Sequence, residues 1–158
     1  MSGEARCEGC GRDLPGGTAA CRAEFDTLCA LDYSGATPYA LHRLMVDAYC
    51  LQHPAEFCAS GKSYAAHLVG MLVAQEHGGD AAAQRALRTW LDGDRQLARP
   101  AEPAARGSCT IAQVLAAAPG SERERAVHVW AADVWIAWRD RHETARAWLA
   151  EARGLRER

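Results

Sequence analysis

The sequence predicts an all-α protein, a single-domain helical bundle carrying a small zinc-knuckle arm at its N-terminus. Apolar residues recur at three- and four-residue intervals through most of the chain, no stretch alternates apolar and polar as a half-buried strand would, and capping residues stand where the periodic segments begin. The chain has 158 residues, 49% of them hydrophobic, enough for one domain with a real core, so residues 1–158 read as one unit. Residues 1–17 form the arm and residues 92–109 read as a mobile loop.

Pro15-Gly16-Gly17 makes a turn, and Thr18 caps a first helix reaching residue 32 with Cys21, Phe25, Leu28 and Cys29 facing inward. Ser34-Gly35 interrupts it. Thr37 then caps a second helix, with Pro38 in its first turn and Pro54 stopping it after Gln52; Leu41, Leu44, Met45, Ala48 and Leu51 form its core stripe. A third helix over residues 63–77, with Tyr64, His67, Leu68, Met71 and Leu72, is apolar almost all round and ends at Gly78-Gly79. Asp80 caps a short helix to Leu91. After a polar loop with two prolines, Thr110 and Gln113 make a capping box for a short helix ending before Pro119. Ser121 and Glu124 make another, for a last helix that carries four tryptophans and spans the bundle: Val127, Ala131, Val134, Trp138, Ala145 and Leu149 keep one phase, and Trp130, Trp135 and Trp148 widen the stripe.

The charge balance excludes some partners. The net charge is −2 and the arginines are interspersed with acids, so no nucleic-acid footprint is present. No apolar run approaches the roughly 20 residues that span a bilayer, and the N-terminus has no signal-peptide pattern, which places the protein in the cytoplasm and away from membranes. The partner left is a protein or a small molecule.

Seven cysteines in a reducing compartment read as metal ligands before disulfides. Cys7-Glu8-Gly9-Cys10-Gly11 is a turn that aims two thiolates at one point, and tetrahedral zinc asks for four such ligands. Cys21, near a helix N-terminus, is the third. His53, at a helix end beside Pro54, is favoured as the fourth over Cys29, Cys50 or Cys58. A redox pair without metal is the competing reading, and it lacks the strand-to-helix turn such pairs use.

A second polar set lies on the bundle helices: His42 and Asp47 on the second, His67 on the third, His142 on the last, with Glu76 as an alternative carboxylate. Histidines and carboxylates converging from separate helices are how bundles build acid–base or metal sites, so these four are the catalytic candidates, as acid–base groups or as ligands of a second zinc or iron. His42 and His53 are eleven residues apart, about 16 Å along a helix, and belong to different sites. No Glu-x-x-His pair of the di-iron kind is present, and satisfied core histidines are the plainer alternative.

The opening Cys-x-x-Cys-Gly, the stretch His42-Arg43-Leu44-Met45-Val46-Asp47-Ala48-Tyr49, then Gln52-His53-Pro54, His67-Leu68 with Glu76, and Trp130-Ala131 through Val134-Trp135 and Ala137-Trp138 to His142 and Trp148-Leu149 together resemble an uncharacterised bacterial family, a domain of unknown function. The resemblance runs along nearly the whole chain. It implies that the knuckle, His42, Asp47, His53, His67 and His142 are family features, and it carries no activity. Departures from the family pattern are a short Cys10–Cys21 loop, alanine after Pro54, and Arg141 in place of a first histidine before His142. Two roles follow as expectations: a zinc-stabilised interaction or regulatory protein, or a small helical hydrolase, cyclase or lyase.

Overall fold

The computed structural model describes residues 5–33 and 39–154. In chain order these form α1 (Gly17–Tyr33), α2 (Tyr39–Gln52), α3 (Pro54–Phe57), α4 (Gly61–Glu76), α5 (Ala81–Asp92), α6 (Ile111–Ala116), α7 (Ser121–Ala137), a 3-10 turn (Arg139–Arg141) and α8 (His142–Gly154). Among the described residues the sole extended pairing is one antiparallel bridge, Arg6 with Asp13, which closes the knuckle. Thr37 and Pro38, expected to start α2, lie outside the described residues.

Helix α4 is the axis of the bundle, packed by α2, α5, α7 and α8. Leu68, Val69, Met71, Leu72 and Val73 are all fully buried, so it is covered on every side, as an all-round apolar helix must be. It starts before the expected Ser63, because Ser60 is the cap: Ser60 Oγ accepts the Ser63 N–H at 3.0 Å, and Ser63 Oγ accepts the Ser60 N–H at 3.1 Å. The Asp80 cap on α5 and the Thr110–Gln113 box on α6 form as the sequence predicts.

Two expectations are corrected. The last helix is not continuous: it breaks at Trp138, and the 3-10 turn separates α7 from α8. Side chains take over the carbonyls exposed by the break, His142 Nε2 lying 2.8 Å from Trp135 O and Arg139 Nη1 donating to Ile136 O at 3.2 Å. The His142 ring also stacks on Trp135 at 3.5 Å. Nor does Ser121 cap α7. Gly120 is the residue at that position, with φ 94 and no side-chain cap, and Glu122 and Glu124 in the first turn favour the helix dipole instead.

Helix α2 ends in the interior, where each freed carbonyl needs a donor. Pro54 has no N–H to give to Cys50 O, which takes the His53 N–H at 3.1 Å and, at 3.6 Å, the buried Cys58 thiol, its pKa pushed up to about 12 by burial. Trp138 Nε1 donates to Leu51 O at 3.1 Å. Gln52, 1% exposed, accepts from Trp130 Nε1 at 2.9 Å and donates to the carbonyls of Arg106 (3.0 Å) and Cys109 (2.7 Å). Those last two bonds anchor the long α5–α6 connection. It is tied further by Arg99 Nε to Cys58 O at 2.5 Å, Arg141 Nε to Ala101 O at 2.8 Å, and the Ser108 and Cys109 N–H groups to Asp133 Oδ2 at 2.7 and 2.8 Å.

Replacing Gln52 with Leu strands the buried Trp130 N–H and two partly buried carbonyls. The variant should lose about 2–3 kcal/mol, read as a lower urea midpoint at unchanged slope.

Candidate metal centre and the polar groups around it

The arm turns back on itself at the two cysteines. Cys7 N–H donates to Arg12 O and Gly11 N–H to Cys7 O, both at 2.9 Å, and Gly11 takes φ 76, a conformation that costs other residues strain. Thr18 Oγ1 accepts the Glu8 N–H at 3.0 Å, which seats the turn over the start of α1. Cys21, one turn into α1, and His53, between α2 and α3, complete the set.

These four side chains converge. Cys7 Sγ and Cys21 Sγ lie 3.3 and 3.4 Å from His53 Nε2, Cys10 Sγ lies 3.9 Å from Cys21 Sγ, and all four ligand atoms fall within 4.8 Å of one another. A tetrahedron with Zn–S bonds of about 2.3 Å and a Zn–N bond of about 2.0–2.1 Å has edges of about 3.8 Å between sulfurs and about 3.6 Å from sulfur to nitrogen. These three spacings lie close to those edges, and the rest do not exceed 4.8 Å. Cys7, Cys21 and His53 are buried and Cys10 partly so.

The surroundings prepare the ligands. His53 Nδ1 lies 2.8 Å from Tyr49 O, so Nδ1 carries the proton and donates it, which leaves the Nε2 lone pair facing the three sulfurs. The ring is held flat: Tyr49 stacks on it at 3.9 Å, Phe25 stacks on Tyr49 at 3.9 Å, and Phe57 meets Tyr49 edge-on. On the other side a Cβ at Gly9 would sit 2.1 Å from His53 Cδ2, so only glycine lets the knuckle come this close. Tyr49 Oη donates to Cys21 Sγ at 3.8 Å. The hydrogen bond from Cys21 holds the Cys10 thiol far below its ordinary range, and the same bond and burial hold Cys21 above it, so one thiolate comes readily. The arm is buttressed by the Arg12–Glu24 ion pair to α1 and by Arg106 Nη1, which donates to Gly9 O at 3.2 Å.

Of the other candidates, the structure brings Asp47 and His67 together. His67 Nδ1 lies 2.9 Å from Asp47 Oδ1, and Asp47, 1% exposed, accepts from Arg43 Nε at 3.1 Å through its other oxygen. His67 keeps 19% of its side-chain surface exposed. His42 is half-buried toward the start of α2. His142 is engaged with Trp135 at the α7–α8 break. Glu76 sits on the surface, where Arg146 on α8 pairs with it and keeps its carboxyl below the usual range. Arg43 and Gln52 were given no role by sequence reasoning, although Arg43 and Asp47 have the four-residue spacing of a helical ion pair.

Fold and site together define a small all-helical protein with a buried Cys3His ligand set. The chain belongs to a family of unknown function (DUF5946), whose profile matches residues 5–139 and so takes in all four ligands. No curated protein and no solved structure is detectably similar to it.

Substituting Gly9 with Ala forces the knuckle off the His53 ring. We expect a loss of about 1–3 kcal/mol together with weaker metal retention, measured by thermal unfolding and by competition with a chelator.

Proposed function

We propose that Cys7, Cys10, Cys21 and His53 hold one zinc ion in a closed structural site, and that the chain is a zinc-stabilised helical protein acting by interaction or regulation. The convergence of the four ligand atoms, all within 4.8 Å and three of the pairs near tetrahedral edge lengths, carries the reading. Three sulfurs and an imidazole suit zinc, and four protein ligands leave no open position for a substrate, which favours a structural ion over a catalytic one. The ion would pin the arm to α1 and to the end of α2. No helix among the described residues is long and apolar enough to cross a membrane. Seven cysteines, with no disulfide among the described residues, suit a bacterial cytoplasm, and a net charge of −2 favours a protein or small-molecule partner over nucleic acid.

The Asp47–His67 bond supports a second reading, a small hydrolase, cyclase or lyase. A buried carboxylate on Nδ1 orients the imidazole and leaves Nε2 for proton transfer. In that case turnover of an ester, lactone or amide probe is lost in His67→Gln while zinc content is unchanged; a probe turned over equally by the variant refutes it.

Elemental analysis of purified protein should give one zinc per chain, lost in Cys7→Ala and His53→Ala. Chelation should lower the thermal midpoint by about 10 °C. A fully folded, metal-free chain in native mass spectrometry overturns the zinc reading.

A further inference from the structure

Helix α7 packs inward on α2, α4 and α6, and its outer face carries Val129, 55% exposed, and Ile136, 61% exposed. Seven residues is close to two helical turns, so the two side chains stand on one ridge, with the half-buried Ala132 between them. The other large apolar side chains left open among the described residues, Leu31 and Tyr39, lie on different helices and form no such row. A single exposed apolar residue is ordinary, whereas a row on one ridge marks a contact surface.

Unpaired charges bracket the row. Arg125 stands one turn before Val129, and Asp140 follows in the 3-10 turn, four residues after Ile136. Both are exposed, and neither side chain has a hydrogen bond or ion pair within the described residues. Asp133 also belongs to this side, but its carboxylate is turned to the Ser108 and Cys109 N–H groups at 2.7 and 2.8 Å, which leaves the small Ala132 at the middle of the row. The order Arg125, Val129, Ala132, Ile136, Asp140 is its own antiparallel complement. A two-fold axis passing beside Ala132 and Asp133 sets Val129 against the partner's Ile136 and Arg125 against the partner's Asp140, each contact made twice. A parallel pairing would instead set Arg125 on Arg125 and Asp140 on Asp140. Beside Ile136 the face opens into a groove of about 770 Å³ between α7, the α5–α6 connection and the arm, with Ala104, Ala105 and Ala137 in its walls, where the partner's ridge can seat. The exposed Arg6, Glu8 and Arg139 around it make the polar rim usual for an apolar contact.

We infer that the outer face of α7 is a self-association surface, on which two copies of the chain pair antiparallel in a two-fold dimer. Val129, Ala132 and Ile136 form its apolar centre, and two Arg125–Asp140 ion pairs fix its direction. The contact is small, so the dimer forms and dissociates with concentration. It uses none of the four cysteine-cluster ligands and stands apart from the metal reading.

Sedimentation velocity of the full-length protein from roughly 5 to 500 μM should show a monomer–dimer equilibrium with a dissociation constant of roughly 1–100 μM. Ile136→Glu should weaken it at least roughly tenfold. Arg125→Glu and Asp140→Arg should each weaken it at least roughly fivefold, because like charges then face each other, while an equimolar mixture of the two should associate as the unaltered chain does, since the heterodimer re-forms both ion pairs. All three positions are exposed, and far-ultraviolet circular dichroism checks that each variant is folded. A chain still monomeric at roughly 500 μM overturns the inference and leaves the face to a different protein. So does a dimer that Ile136→Glu or the charge reversals leave intact, or one that mixing the two charge-reversed chains does not restore.

Discussion

A helix that ends inside a protein leaves carbonyls that water cannot reach; at the end of α2 the His53 N–H serves Tyr49 O and Cys50 O, and side chains from near and far in the chain add the remaining bonds. Cys50 O takes the Cys58 thiol, Leu51 O takes the Trp138 indole, and Tyr49 O takes the His53 imidazole. The Gln52 side chain adds Trp130 and the backbone of the α5–α6 connection. Satisfying one helix end therefore fixes the register of α3, α7, the long connection and the N-terminal arm together. The same helix end orients the cysteine cluster's imidazole, because His53 Nδ1 shares Tyr49 O with the His53 backbone N–H and Nε2 is thereby turned toward the sulfurs.

Much of this is legible in the residues. The Cys-x-x-Cys-Gly turn, a cysteine near the start of α1 and a histidine beside a helix-stopping proline are local patterns, each with its own reason to face one point. Cys21 was harder than the knuckle, since its place one turn into α1 rests on the short loop folding back at Gly11. The break between α7 and α8 was hidden because Trp138 and Ala145 are seven residues apart, a spacing that keeps phase as in an unbroken helix, with no glycine or proline between them. What breaks it is tertiary: the Trp138 indole is bound to α2, and His142 supplies from its side chain the contact to Trp135 O that a continuing helix would make with an amide. Gln52 and Arg43 escaped notice because a polar residue at the edge of an apolar stripe reads as solvated until its partners, far off in sequence, are known.

Helix α2 thus carries two polar systems that do not mix. Tyr49 and His53 look toward α1 and the arm, while Arg43 and Asp47 look toward α4. Tyr49 and Asp47 are two residues apart and lie on different helical faces.

The ligand set also imposes an order on synthesis. Cys7, Cys10 and Cys21 leave the ribosome first, but the imidazole that completes their set follows 32 residues after Cys21, and the guanidinium that braces Gly9 lies 97 residues beyond it. Three thiols must therefore wait, unprotected, while α1 and α2 are made. Under the proposed metal site, the arm is fastened only once His53 has been made, so the cluster closes after α1 and α2 are complete.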